Sequence, residues 1–344
     1  MSSNPLQLAI RRLAAGESLS ADDTAAALDL VMRGEATAAQ IAALLVALRV
    51  KGETADEVAG GARALRHAMV HLTARDPNDL VDTCGTGGGR VATFNISTAA
   101  ALVAAGAGVR VAKHGNRSFT SMCGSADVLE ALGVRIDVSV DTMQAALERA
   151  GIVFMFAPLM HPAMKHVGPV RRELAIPTVM NILGPLANPA GAGRQVVGVA
   201  DEARAPLLAE ALAALGTVHA LVVYGEPGMD EISPMGATRV REVKDGCVRE
   251  WTIDPDRFGL GGADPEEIRG GDPGQNAAIV EAVLSGSRRD GARSAVLLNA
   301  AAAMYVAGKC ASYPDAVTAA EKALDGGAGL RALDRLRRAT AAPQ

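Results

Sequence analysis

From residue 5 to residue 71 apolar side chains recur at helical spacing, as at Ile41, Leu44, Leu45 and Leu48, and Gly34, Gly52 and the pair Gly60 and Gly61 interrupt them. The pattern predicts a small all-helical unit. A polar stretch at 73–78 closes it, and short apolar runs then alternate with helical segments, as in an α/β sheet domain. Strands are predicted at 80–83, 109–112, 152–156, 195–199 and 220–224. Between Pro158 and Pro189 the chain also carries Pro162, Pro169, Pro177 and Pro185, too many for continuous sheet or one long helix. This segment is expected to cross back to the helical unit. Beyond Asn276 the pattern is helical again, through 295–306 and 316–324, ending in a basic tail at 331–338, and helices packed on the sheet account for it. The expected organisation is a helical domain at 1–74, completed by helices from about 168–190, and an α/β domain formed by 75–167 and 191–344.

Composition agrees with two domains. At 344 residues the chain exceeds the size at which a single core stops growing. Hydrophobic residues make up 49% but aromatics only 3%, so the interior should be close-packed helices and aliphatic strands. The net charge of −4 provides no basic field for a nucleic acid backbone, so any local positive charge has a specific task. The four cysteines, Cys84, Cys123, Cys247 and Cys310, show neither metal-binding spacing nor a small secreted scaffold to staple. Residues 1–7 lack a basic-then-apolar pattern, and no apolar run reaches membrane-spanning length. A cytoplasmic protein with no membrane partner is expected.

The chemistry concentrates between residues 85 and 125. Gly85, Thr86, Gly87, Gly88 and Gly89 follow a predicted strand, and Phe94, Asn95, Ile96, Ser97 and Thr98 open an apolar helix. Glycines let backbone amides approach an anion, and a helix start adds unpaired amides and a positive dipole end. Asn95, Ser97 and Thr98 supply further donors. A flexible turn is the alternative. The loop is not a Walker motif, which needs lysine and Ser/Thr after its last glycine, nor a dinucleotide fingerprint, because the expected acidic position falls at Val109 to Val111. The next strand ends in Lys113, His114, Gly115, Asn116, Arg117 and Ser118, which places two cations at the strand edge where open α/β sheets bind ligands. Lys113 would act as a point charge for phosphate. Thr120 and Ser121 add hydroxyls, and Gly124, Ser125, Ala126 and Asp127 lead into a second helix with Ser125 as its expected cap.

These residues resemble the anthranilate phosphoribosyltransferase family, which carries a glycine loop, then Asn-Ile-Ser-Thr, Lys-His-Gly-Asn-Arg and Gly-Ser-Ala-Asp in this order. The resemblance continues through His161-Pro162, Arg171-Arg172-Glu173-Leu174, the run from Asn181 to Pro189, and Asp230-Glu231-Ile232-Ser233, and covers nearly the whole chain. It implies a mostly parallel sheet flanked by helices, in the nucleoside phosphorylase and phosphoribosyltransferase class, and a homodimer formed through the amino-terminal helices. It further implies that anthranilate is joined to 5-phosphoribosyl 1-pyrophosphate (PRPP), with release of pyrophosphate, in tryptophan biosynthesis.

By the same resemblance, Gly85, Gly88, Gly89, Thr93, Asn95, Ile96, Ser97, Thr98, the segment Lys113, His114, Gly115, Asn116, Arg117, Ser118, Phe119, Thr120 and Ser121, and then Ser125, would hold PRPP. Anthranilate would meet Gly85, Asn116 and Arg171, whose planar fork suits a carboxylate. The residue pattern alone does not single out Arg171. Asp230 and Glu231, adjacent in a loop, would hold Mg2+ with Ser97, although the pair is equally compatible with an exposed acidic loop. Magnesium favours one or two carboxylates together with substrate phosphates. An aromatic amine is unprotonated at neutral pH, so no acid or base is assigned. Transition-state charge would fall to Lys113 and Arg171, and His114 is expected to pack or orient. Gly89 departs from the family, which usually has aspartate there, and this puts a metal contact at that position in doubt. Rival readings are a pyrimidine nucleoside phosphorylase and an inactive fold relative that binds nucleic acid, but the run from Asn181 to Pro189, the Asp230-Glu231 pair and the negative net charge argue against them.

Overall fold

The computed structural model describes residues 4–118 and 122–341. Four helices come first, α1 (Pro5–Ala14), α2 (Ala21–Met32), α3 (Ala38–Lys51) and α4 (Ala55–Ala68). Ser20, Thr37 and Thr54 cap the last three, and Gln40 and Glu57 complete capping boxes on α3 and α4. Gly34 and Gly52 fall between helices as the pattern predicts. Gly60 and Gly61, expected to break the helix, instead lie inside α4. A Cβ on Gly60 would stand 2.3 Å from the Ala21 carbonyl oxygen, and one on Gly61 would stand 3.0 Å from Leu183. These glycines are there for contact between helices.

The chain then runs through β1 (Leu80–Gly85), α5 (Ile96–Gly106), β2 (Arg110–Gly115), α6 (Ser125–Ala131), α7 (Val140–Ala150) and β3 (Ile152–Phe156). Three short helices follow, α8 (Ala157–Met160), α9 (Met164–Leu174) and α10 (Met180–Leu183), with Pro169 accommodated inside α9. Next come β4 (Arg194–Gly198), α11 (Ala205–Ala214), β5 (His219–Gly225), β6 (Thr238–Lys244) and β7 (Cys247–Ile253). The remainder is helical: α12 (Pro265–Ile268), α13 (Pro273–Leu284), α14 (Gly291–Val306), α15 (Tyr313–Asp325) and α16 (Ala328–Thr340). None of the described helices is long and apolar enough to cross a membrane.

The seven strands form one sheet in the order β3-β2-β1-β4-β5-β6-β7. The first five in that order are parallel and correspond to the five predicted strands, while β6 and β7 add an antiparallel edge that the pattern did not predict. Period-two alternation sends the two faces of β4 and β5 into different cores. Val196, Leu221 and Val223 pack with α5, α7 and α13 to α16 on one side. Val197, Ala220 and Val222 pack on the other side with α1 to α4, α10, α11 and Val167 and Val170 of α9. The proline-rich segment therefore does return to the amino-terminal helices. All carboxyl ends of the parallel strands lie along one edge, and four of the five end on glycine: Gly85, Gly115, Gly198 and Gly225.

Helix propensity alone says that Gly60→Ala should stabilise α4 by about 1 kcal/mol. The 2.3 Å approach to Ala21 reverses the sign. Urea unfolding of Gly60→Ala should show a loss of roughly 1 to 3 kcal/mol, the usual cost of overpacking.

Candidate active site

The glycine edge gathers the residues singled out between 85 and 125 and adds a loop from far along the chain. Gly87 and Gly88 take φ of 70° and 81°, a left-handed conformation that suits glycine. The loop they form is tied down by Thr86 N–H to Gly198 O at 2.9 Å and Arg90 N–H to Gly228 O at 2.9 Å. The Gly87 N–H donates to Asp230 Oδ2 at 2.9 Å. Close approach makes this possible. A Cβ at Gly198 would lie 1.6 Å from the Asp230 carbonyl oxygen, and one at Gly85 would lie 2.5 Å from Asp230 Oδ2. At Gly89 the nearest atom would be Asp230 Oδ1 at 3.1 Å, so a larger residue there would crowd Asp230.

Glu231 reaches the start of α5. Its Oε1 accepts from Ser97 N–H at 3.2 Å and its Oε2 from the Thr93 hydroxyl at 3.2 Å. Glu231 thus takes one of the helix-start amides expected to face phosphate. Lys113 comes up from β2 beneath it and is buried. Its ammonium donates to the Thr83 carbonyl, and at 3.3 Å to both Thr83 Oγ1 and Ser97 Oγ. The same floor holds Asp82, fully buried in β1, which accepts from Asn188 Nδ2 at 2.7 Å and from His114 N–H at 3.1 Å. A cavity of about 10 Å³, room for roughly one water, lies between Thr83, Cys84, Ser97, Asp230, Glu231 and Asn299.

Three acids and one lysine share this poorly solvated space. Burial pushes Glu231 up to about 8, and the neighbouring Asp230 adds to the shift. Burial also raises Asp230, and raises Asp82 to about 6 against the pull of Lys113. It lowers Lys113, against which Asp82 acts first. Burial makes each acid harder to ionise than it would be in water. Added positive charge would favour the ionised forms. Among the described residues no three His, Cys, Asp or Glu side chains converge as a metal cage. Two carboxylates, the Ser97 hydroxyl and an incomplete donor set fit magnesium, which takes its remaining ligands from water and substrate phosphates.

Matches to known proteins follow the whole architecture. The family models for the glycosyl transferase family match as the helical bundle domain at residues 7–69 and the a/b domain at residues 77–330. An anthranilate phosphoribosyltransferase of Rubrobacter xylanophilus is 52% identical over 96% of both chains. The chain belongs to the anthranilate phosphoribosyltransferase family. The family enzyme solved from Thermus thermophilus superposes with a TM-score of 0.91, at 42% identity, over 97% of this chain and 99% of that one. The enzyme from Saccharomyces cerevisiae, solved in complex with PRPP and Mg, superposes with a TM-score of 0.89, at 28% identity, over 98% of each chain.

Several expected roles within this family site change in detail. Arg117 is not a free cation: it pairs with Asp127 at 2.9 Å and Glu130 at 2.5 Å and lies 5.5 Å from the centre of the Phe156 ring. Ser125 is the first residue of α6, not its cap. Gly124 precedes the helix, Asp127 Oδ2 accepts from Gly124 N–H at 2.8 Å and Ser118 N–H at 3.2 Å, and the Ser125 hydroxyl reaches Asn116 O at 3.4 Å. Ser125 Oγ also sits where a side chain on Gly115 would go, 2.2 Å from its Cβ position. The Ile96 side chain and the Thr98 hydroxyl are buried, the latter without a hydrogen bond. Asn95 spends its carboxamide on Cys123 O at 3.2 Å and on Asn276 Nδ2 at 2.9 Å, which links the two phosphate segments to α13. The Asn116 side chain accepts from Arg117 N–H at 2.8 Å. Arg171, half-buried on α9, donates to Asn181 Oδ1 at 3.3 Å. Phe119, Thr120 and Ser121 lie outside the described residues.

His114 packs against His161, ring centres 4.9 Å apart, and neither His114 Nε2 nor either His161 nitrogen has a hydrogen bond. Burial, then His161, lowers His114 to about 3, and burial lowers His161 to about 4. Neutral at pH 7, His114 is unsuited to giving up a proton. Unfolded histidine titrates near 6.5, so as pH falls below that value the unfolded chain takes up protons that the fold refuses, and stability falls by about 2 kcal/mol per histidine at pH 5. Asp82 and Glu231, raised in the fold, work in the opposite sense. The histidine contribution is therefore read as a difference: between pH 7 and pH 5, urea unfolding should show wild type losing more stability than His161→Gln.

Proposed function

We propose that this site transfers the phosphoribosyl group of PRPP to the amino group of anthranilate, releasing pyrophosphate and giving N-(5-phosphoribosyl)anthranilate. The observation that carries the reading is the convergence of the glycine loop, the α5 start, the end of β2 and the Asp230-Glu231 loop on one sheet edge. It agrees with the rule that open α/β sheets bind ligands at the carboxyl ends of their strands. Family membership at 52% identity favours this reaction over nucleoside phosphorolysis or nucleic acid binding.

In this reading Gly85, Gly88, Gly89, Thr93, Asn95 to Thr98, Lys113 to Ser121, and Ser125 would hold PRPP. With the Thr86, Gly87 and Arg90 amides engaged in tying the loop down, Gly88 and Gly89 offer theirs to the diphosphate. Asp230, Glu231 and Ser97 would hold Mg2+, which when bound supplies positive charge to the departing diphosphate. Lys113 adds its charge from below through Ser97. Arg171 pairs with the anthranilate carboxylate, and burial, which lowers its proton affinity without neutralising it, strengthens that attraction. The amine nitrogen forms the bond to C1 of the ribose as the bond from C1 to the diphosphate oxygen breaks, with inversion, and the proton of the new ammonium leaves to water. Holding the amine in line with C1 can supply roughly 7 to 11 kcal/mol. No side chain forms a covalent intermediate.

The fluorescence loss of anthranilate on mixing with PRPP and magnesium tests this. Arg171→Ala should raise KM for anthranilate with little change for PRPP, and Lys113→Ala should lower kcat roughly 10²-fold or more, as loss of one preorganised charge does. Full activity in both variants refutes the assignment. We further propose a homodimer through the amino-terminal helices, where Leu8 and Val50 are exposed, working in the cytoplasm. Sedimentation velocity should report twice the chain mass of 35.2 kDa at micromolar concentration, and a monomer would refute it.

A further inference from the structure

We propose that Asn299, in the interior of α14, is a positioning residue that sets the direction of the Asp230-Glu231 pair; the proposal rests on the reading of that pair as magnesium ligands. Asn299 is 5% exposed among alanine, leucine and valine side chains that are buried almost all round. Asparagine is a poor helix former, and a buried carboxamide is costly unless every bond is made. Here the oxygen and both Nδ2 protons are paired. Oδ1 accepts from Ile232 N–H at 3.0 Å, and Nδ2 donates to Ile232 O at 2.9 Å and to Ala295 O at 2.9 Å.

The first two bonds form a reciprocal pair with the main chain of a single residue, as a neighbouring strand would, and that residue directly follows Glu231. The loop between β5 and β6 is held on one side by Gly225 and Met229, which exchange main-chain bonds, and on the other by Ser233 N–H to Thr238 Oγ1 at 3.0 Å. Between these anchors the acid pair is pressed onto the strand ends. A Cβ at Gly198 would meet Asp230 O at 1.6 Å, and one at Gly225 would meet Glu231 O at 2.4 Å. The sheet edge limits how far the loop can sink. Asn299 limits how far it can lift or turn. Asn299 also lines the small cavity shared with Ser97, Asp230 and Glu231, and the residue it holds is one position from Glu231 and two from Asp230.

Without Asn299 two buried main-chain groups of Ile232 lose their partners, and the loop regains them only by turning. Such a turn would carry Glu231 away from Ser97 and Thr93, and the site would lose its grip on the metal diphosphate while the anthranilate side, at Arg171 on α9, stays as it is.

The test compares Asn299→Leu, which fills the space with apolar atoms, Asn299→Ser, which leaves room for a bridging water, and Glu231→Gln. Calorimetric titration with magnesium pyrophosphate should show binding weakened roughly ten- to hundredfold in Asn299→Leu, the usual effect of losing a residue that orients metal ligands, and less in Asn299→Ser. Amide hydrogen exchange at Ile232 should quicken in both, and KM for anthranilate should not move. The proposal is overturned if Asn299→Ser, or a folded Asn299→Leu, binds magnesium pyrophosphate as wild type does while Glu231→Gln binds it weakly. It is also overturned if KM for anthranilate rises in step with the loss. Wild-type binding by Glu231→Gln would instead overturn the metal reading, and this proposal with it.

Discussion

The site depends on how closely one loop lies against the ends of the parallel strands. The main chain at Asp230 and Glu231 occupies the space that side chains on Gly198 and Gly225 would take. That approach brings a segment more than 130 residues distant into hydrogen-bond range of the glycine loop and of the α5 start. Gly115 and Ser125 repeat the arrangement on β2. A flat glycine edge is thus the surface on which separately encoded segments are assembled, with Asn188 and Asn299 holding backbones from behind and Asn276 holding the Asn95 side chain.

The second constraint is electrostatic. Asp82, Asp230 and Glu231 outnumber Lys113 in a space where charge is poorly solvated, and all three acids are harder to ionise there than in water. Such a site is built for charge that arrives with its ligands. Lys113 is bonded from below to Thr83 and Ser97, so its charge is fixed in place before any substrate enters. The electrostatic work of assembling the site is done during folding, and little reorganisation is left for the reaction.

Much of this was legible in the chain. Strands buried on both faces are continuous apolar runs, so all five parallel strands were readable, and the glycine loop with its following helix stood out by order alone. The edge hairpin has no apolar run to mark it, because β6 and β7 carry Arg239, Arg241, Glu242, Arg249 and Glu250 on a half-solvated surface. The two-residue turn Asp245-Gly246 was its available signal. Gly60 and Gly61 lie inside α4 against the expected break, because close helix contact and helix termination call for the same residue. Ion pairing of Arg117 with Asp127 and Glu130, and the reach of Glu231 to α5, depend on how distant segments pack and leave no local trace. Asn299 did leave one, as the lone amide in the apolar run from Ala295 to Val306, and Asp82 another, as the charge inside an apolar strand.

The glycine strand ends bear on how substitutions here are to be interpreted. Any replacement at Gly198 or Gly225 adds at least a methyl group where a carbonyl oxygen already lies within 2.4 Å, whatever the polarity of the newcomer. Intolerance at these two positions therefore reports the shape of the sheet edge, not a contact with substrate. A map of functional sensitivity drawn across this protein would overstate the size of its binding surface by the breadth of the scaffold beneath it.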